Sequence, residues 1–296
     1  MNPRAHQPVM VTEVLEALAV KPDGIYLDGT VGGGGHAHAI ASRLKNGLLI
    51  GLDCDPNALE IARRHLQEFT DRVKLIHANF AHLDRVLDEL KIHSVDGILL
   101  DLGVSLTQLD TAERGLSFRL AGPLDMRLDP TQELTAADLV NSLDERELER
   151  IFRDYGEERW AARIAKNLVR ARQNNPIETT SDLVKIVEQS IPAAARYKSR
   201  IHPATRVFQA LRIAVNNELE NLQKALMAGF ERLAPGGRFV VISFHSLEDR
   251  IVKRFFRAQL KAGRAAQIWG PLRPSPEEST QNPRARSAKL RALQKA

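Results

Sequence analysis

"GIYLDGTVGGGGHAHAI", residues 24–40, decides the fold. An apolar run ends in Asp28, four consecutive glycines close the turn that follows, and a helix-compatible segment begins at their end. Strand, glycine turn and helix in that order open a βαβ unit. Glycine carries no side chain and accepts any backbone angle, so such a turn lets a ligand lie against the main chain. Working outward, the alternation repeats. "GLLIGLD" precedes "PNALEIARRHLQEF", "VKLIHAN" precedes "FAHLDRVLDEL", and "VDGILLDLG" follows. Each strand segment is apolar nearly throughout, as a strand covered by helices on both faces must be. The fold class is therefore α/β, a Rossmann-like and mostly parallel sheet with right-handed crossovers.

In an open parallel sheet, ligands sit beyond the carboxyl ends of the strands near the switch point. Asp53 ends the second strand, twenty residues after Gly33. A carboxylate there can accept hydrogen bonds from both hydroxyls of a ribose. Two nucleoside-bearing ligands fit, a dinucleotide or S-adenosylmethionine, and Asp28 separates them. A dinucleotide places its pyrophosphate at the helix N-terminus, and an acid directly before the turn opposes that anion. S-adenosylmethionine has no phosphate; its ammonium and sulfonium suit a nearby carboxylate. The G-x-G-x-x-G spacing also fails, because His36 and Ala37 follow Gly35. Phe80 opens the segment after the third strand, where a ring can stack on adenine; taken alone it reads as a core residue. Asp101 ends the apolar fourth strand, where an acid faces a pocket. Gln108 lies in the loop beyond it. Asp96, at the start of that strand, reads as a turn or cap residue.

The pattern changes after the fourth strand. From about Leu106 to Pro203 helical segments dominate, with Thr135 and Thr180 as N-caps. This is an inserted all-helical domain, with expected boundaries at 1–105, 106–203 and 204–296. "HPATRVFQALRIAVNNELENLQKALMAGFERL" then reads as one long amphipathic helix. A turn at Pro235–Gly237 leads to a fifth buried strand, "RFVVISF", and to the helix "SLEDRIVKRFFRAQL". An edge hairpin is expected around "RSAKLRAL".

The chain has 296 residues, 43% hydrophobic and 27% charged, with a net charge of +5. Those proportions fit a soluble protein with a packed core. The longest apolar runs are too short to span a bilayer. One cysteine, Cys54, excludes an internal disulfide and a cysteine-rich metal site. The start shows no basic-then-apolar leader, which sets a cytoplasmic expectation. Arg250 to Ala296 carries twelve Lys or Arg against two Glu, a balance that suits a polyanionic partner or a solvated tail. The nine histidines have neither helical i, i+4 spacing nor clustered carboxylates, so no metal site is expected.

Several longer motifs carry a resemblance. "HQPVMVTEVLEAL", "DGTVGGGGHA", "DGILLDLGVS", "ERGLSFR", "GPLDMR", "HPATRVFQALRIAVNNEL", "ISFHSLEDRIVKRFF" and "NPRARSAKLRA" resemble the RsmH (MraW) family over nearly the whole length. The resemblance implies a class I S-adenosylmethionine-dependent methyltransferase fold, interrupted by a helical domain. It implies methylation of the exocyclic N4 of one cytosine in the decoding region of 16S RNA. The implied partner is 16S rRNA within the 30S subunit or a late assembly intermediate, with no membrane and the oligomeric state open. The cofactor contacts it implies are Gly34, Gly35, His36, Asp53, Phe80, Asp101 and Gln108, with Asp28 as an additional contact. Without the family, His36 would read as a first-turn residue whose backbone matters more than its ring. The family usually reads "GVSSxQLD" where this chain reads "GVSLTQLD", so Leu106 replaces a serine while Ser105 and Gln108 remain.

Methylating an amine requires alignment and a partner for the departing proton. Asp101 is the candidate proton acceptor and Ser105 the candidate for positioning substrate. Arg206, Arg212, Arg250, Lys253, Arg254, Arg284, Arg286 and Lys289 are candidate phosphate contacts. Trp160 and Trp269 read as packing residues. The competing readings are a nicotinamide-dependent dehydrogenase, a non-catalytic ribosome-assembly factor, and a methyltransferase acting on another nucleic acid or on protein.

Overall fold

The computed structural model describes residues 8–198 and 201–296. His6 and Gln7 of the first family-like motif lie outside them. Among the described residues the strands are β1 (Ile25–Asp28), β2 (Leu48–Asp53), β3 (Val73–His77), β4 (Val95–Asp101), β5 (Leu233–Ser243), β6 (Ala265–Leu272) and β7 (Lys289–Lys295). They form one sheet in the order β3-β2-β1-β4-β5-β7-β6. The first five pair in parallel, while β7 runs antiparallel to both β5 and β6. Strand order reverses between β1 and β4, so the carboxyl ends of β2, β1 and β4 border the switch point. The expected edge hairpin is corrected here. β7 lies inside the sheet, with Leu290, Ala292 and Leu293 buried, and the mostly exposed β6 forms the edge.

Successive strand residues point to opposite faces. Tyr26, Leu49 and Leu99 are buried in one core with Val14, Ile40 and Ile242. Their neighbours Leu27, Ile50 and Leu100 are buried in a second core with Phe230, Phe239 and Phe256. Two-sided burial is why these strands read as unbroken apolar runs. Around the sheet lie α1 (Val11–Leu18), α2 (Gly35–Ala41), α3 (Pro56–His65) and α4 (Leu83–Glu89). Asp96 is a strand residue, not a turn: its carboxylate accepts the Ile25 N–H at 3.0 Å and pairs with Lys21 at 2.8 Å.

The chain divides into two compact units: one formed from the chain up to Gly103 with Leu219–Ala296, the other from Val104–Glu218. The second holds α5 (Leu106–Leu109), α6 (Ala136–Ser142), α7 (Glu145–Asp154), α8 (Ala161–Arg172), α9 (Thr180–Ser190), α10 (Ala193–Lys198) and α11 (Thr205–Asn216). The expected boundary after Pro203 falls too early, because α11 belongs to this unit. Val207, Phe208 and Leu211 are buried in its core with Phe152, Ile164 and Leu183. Nor is there one long helix. Asn217 sits at φ 50°, in the left-handed region that Asn tolerates, and ends α11 before α12 (Glu218–Arg232) begins. The remaining helices are α13 (Ser246–Lys261) and α14 (Pro276–Gln281).

Asn216 fixes the end of α11. Its Oδ1 accepts the Leu128 N–H at 2.7 Å, and its Nδ2 donates to the Met126 carbonyl at 2.8 Å. Asn216→Ala strands buried backbone groups and is expected to cost the protein about 3 kcal/mol. Chemical denaturation checks this, and an unchanged midpoint contradicts it. Thr135 caps α6 as expected, accepting the Asp138 N–H. The cap of α9 is Thr179, whose hydroxyl accepts the Asp182 N–H, whereas the Thr180 hydroxyl donates to the Leu120 carbonyl. Among the described residues, no helix is long and apolar enough to cross a membrane.

Candidate cofactor site

The glycine turn is tied at both sides to the neighbouring strand tips. Gly29 N–H donates to the Leu99 carbonyl on β4, and Val31 N–H to the Leu52 carbonyl on β2, each at 2.9 Å. Gly32 N–H donates to Asp53 Oδ2 at 2.8 Å. Gly34, at φ 86°, is the N-cap of α2, an angle that a side chain resists. A methyl group on Gly35 would meet the Pro8 ring at 2.8 Å. These approaches explain why the turn needs glycine at those positions.

Three carboxylates stand at the tips of adjacent strands. Asp28 ends β1, is 1% exposed, and accepts the Thr30 N–H on Oδ1 at 3.1 Å. Its Oδ2 is buried and has no hydrogen-bond partner. Burial pushes the Asp28 carboxyl up to about 7, against the opposing pull of the His36 imidazole and the Thr30 N–H. Asp53 ends β2 and accepts the Gly32 N–H on one oxygen and the Asp55 N–H on the other, at 2.8 and 2.9 Å. Burial raises it to about 6, opposed by those same two N–H groups. Asp101 ends β4. Its Oδ1 is buried without a partner, and its Oδ2 lies 3.6 Å from His36 Nδ1. Burial raises the Asp101 carboxyl, while His36 and Arg284 act the other way.

The ring of His36 makes contacts as well as its backbone. It is 6% exposed and its Nε2 lies 2.8 Å from the Val9 carbonyl. A carbonyl only accepts, so Nε2 holds the hydrogen and Nδ1 faces Asp101. Two buried oxygens without partners, beside a third acid, leave negative charge that burial penalises unless a cation joins it. The residues therefore fit a cationic nucleoside ligand.

Phe80 packs at the edge of the second core, against Gly29 of the turn. Ser105 and Gln108 lie in the helical unit and form a capping box that the sequence reading did not anticipate. Ser105 Oγ accepts the Gln108 N–H at 3.2 Å, and Gln108 Oε1 accepts the Ser105 N–H at 2.9 Å. The cap rests on Ser105, so Leu106 at the next position leaves it intact.

The candidate phosphate contacts divide. Arg250, Arg254 and Arg286 are exposed and Lys253 is half-buried. Arg206 is half-buried and donates to the Glu157 carbonyl. Arg284 lies over the Phe244 ring at 5.7 Å, and its charge opposes the rise at Asp101. Two assignments are corrected. Arg212 is held bidentate by Glu218 at 2.7 and 2.8 Å with its side chain 16% exposed, and Lys289 pairs with Asp249, which also binds Arg291. Trp160 and Trp269 pack against the cores of their units, each under an arginine.

Sequence reasoning missed Thr30 and the segment Pro8–Met10. Thr30 Oγ1 accepts the Asp101 N–H at 2.7 Å while its own N–H reaches Asp28, so one residue joins the β1 and β4 tips. Its place in "DGTVGGGG" was the available signal. Pro8 and Val9 close over the turn through long-range contacts that no local pattern shows.

This sheet order, with a glycine turn after β1, an acid ending β2 and acids that each keep one unpartnered oxygen ending β1 and β4, defines a Rossmann-like class I S-adenosylmethionine-dependent methyltransferase. The model of the MraW methylase family matches residues 4–296, and the chain belongs to that family. It is 53% identical over 309 aligned positions to a protein of Pelobacter propionicus named ribosomal RNA small subunit methyltransferase H, with 98% of each chain covered. A protein of Heliobacterium modesticaldum with the same name is also 53% identical, again with 98% of each covered. One from Geobacter sulfurreducens is 52% identical over 98% of this chain and 99% of its own.

Proposed function

We propose that this chain methylates the exocyclic N4 of a cytosine in the decoding region of 16S rRNA, within the 30S subunit or a late assembly intermediate. The observation that carries the reading is the set of acids at three adjacent strand tips, two with a buried oxygen lacking a partner. Family membership and the relatives' names support the ribosomal substrate. When bound, S-adenosylmethionine supplies an electrophilic methyl group carried on a sulfonium. Gly34, Gly35 and His36 would face it along the main chain, Asp53 would take the ribose hydroxyls, and Phe80 would meet the adenine. Asp28 and Asp101 would balance the positive charge, with Gln108 as a further contact.

Asp101 is assigned the proton of the attacking amino group. Its free Oδ1 can accept that hydrogen, and burial makes the carboxyl a stronger base than an exposed one. Asp101→Asn is expected to lower the methylation rate by about 10²-fold or more with cofactor still bound. A variant that binds cofactor and methylates at the parental rate removes Asp101 from the role. Arg250, Lys253, Arg254 and Arg286 are assigned to RNA phosphates. The whole reading is tested by incubating the protein with labelled S-adenosylmethionine and 30S subunits and identifying the modified nucleoside by mass spectrometry. N4-methylated cytidine is expected; label on protein alone, or nowhere, would overturn it.

A further inference from the structure

The helical unit holds a cleft of about 540 Å³ that shares no residue with the strand-tip site. That volume falls within the range of sites for small organic molecules. Arg159, Trp160, Arg196, His202 and Arg206 are among its lining residues. Among the described lining residues the acid is Glu158, which is 6% exposed and accepts the Trp160 N–H at 2.8 Å, while His202 of the lining faces Glu188 at 3.4 Å. The Glu158 carboxylate is thus spent on the backbone, and no ion pair among the described residues joins it to the cleft's arginines. Arg159 and Arg196 are exposed. Arg159 lies over the Trp160 ring, 4.8 Å from its centroid, so an exposed guanidinium and an aromatic ring stand together at the cleft. Arg206 donates to the Glu157 carbonyl at 3.1 Å, which holds its guanidinium without supplying a negative charge.

We infer that this cleft binds a single-stranded segment of RNA, one nucleotide base stacking on the Arg159–Trp160 pair and the flanking phosphates meeting Arg196 and Arg206. The inference rests on the proposed rRNA substrate and adds a second contact to it. The chemistry favours RNA over an acidic peptide. Unpaired guanidinium groups beside an aromatic ring match a base with its phosphates, and arginine planes and aromatic rings are the surfaces on which unstacked RNA bases lie. An acidic peptide uses the charge and leaves the stacked pair without a partner.

The test uses the full-length protein and a single-stranded RNA dodecamer, with binding followed by fluorescence anisotropy across a salt series. Arg196→Ala/Arg206→Ala is expected to lower the magnitude of the salt slope by about 1.4, at about 0.7 per phosphate contact on a single strand. Trp160→Ala is expected to weaken binding roughly tenfold. Arg159→Lys should keep the slope and lose part of the stacking affinity, separating charge from the planar group. Affinity for S-adenosylhomocysteine should be unchanged in all three variants, and their circular-dichroism spectra should match the parent's, which shows that both units are intact. Parental affinity and slope in the double variant would overturn the inference and leave the proposed function standing. If the parent binds S-adenosylhomocysteine but not the dodecamer, the inference fails, while the proposed function is decided separately by the 30S methylation assay. Cleft variants that lose binding to an acidic peptide but not to RNA would overturn it in favour of a protein partner.

Discussion

Asp28→Asn is expected to raise the melting temperature of the ligand-free protein at pH 8 and to weaken S-adenosylmethionine binding roughly tenfold or more. The two effects have opposite signs and one origin. Burial holds the Asp28 carboxyl at about 7, against an ordinary 3.8. Between those values the folded chain keeps a proton that the unfolded chain has released. The stability this group contributes is therefore fully present at acid pH and declines as pH rises from about 4 through about 7. At pH 8 the parent must fold around an ionised carboxylate whose Oδ2 has no partner. Asparagine removes that charge, and its side-chain carbonyl can still accept the Thr30 N–H. With the ligand present the preference reverses, because a cation favours the ionised form. Cofactor affinity should fall by about tenfold for each pH unit below about 7 in the parent, and this dependence should shrink in the variant. Differential scanning calorimetry and titration calorimetry measure the two effects. A variant that melts lower at pH 8, or keeps the parental pH dependence of binding, contradicts this role for Asp28.

Asp53→Ala should lose cofactor affinity by about 10²-fold or more. The carboxylate accepts the Gly32 and Asp55 N–H groups, so it anchors the glycine turn from one side and the start of α3 from the other. The same oxygens retain lone pairs for two ribose hydroxyls. Hydrogen bonds to a charged group contribute about 1.5–3 kcal/mol each, so losing two accounts for about that factor. Asp53→Asn should fall between, because the amide offers one acceptor and turns N–H toward a backbone N–H on the other side. Affinity within about threefold of the parent for Asp53→Ala would remove the residue from the site.

Much of this was legible in the sequence, and the failures share a cause. β1, β2 and β4 could be read because both faces are buried, so each run is apolar nearly throughout, Asp96 and the terminal acids apart. β6 could not, because it is an exposed edge whose pattern "AAQIWGPL" has no clean period. The break at Asn217 was hidden because helical periodicity continues across one left-handed residue. Charge was visible, but partners were not. Arg212 and Lys289 looked like phosphate contacts until Glu218 and Asp249 were seen to hold them. Asp28, Asp53 and Asp101 were found because an acid after an apolar run is out of place in a core. Thr30 was missed because a hydroxyl inside a turn carries no such contradiction, although it joins two of those acids.

The central claim is that buried acids at three neighbouring strand tips select a cationic nucleoside over an anionic one. Titration calorimetry at pH 6.5 with S-adenosylmethionine and with NAD, each repeated in two buffers of different ionisation enthalpy, tests it most directly. S-adenosylmethionine should bind with release of protons to the buffer, and NAD should give no heat of binding. Tighter binding of NAD, or binding of S-adenosylmethionine with no proton released, would contradict the account.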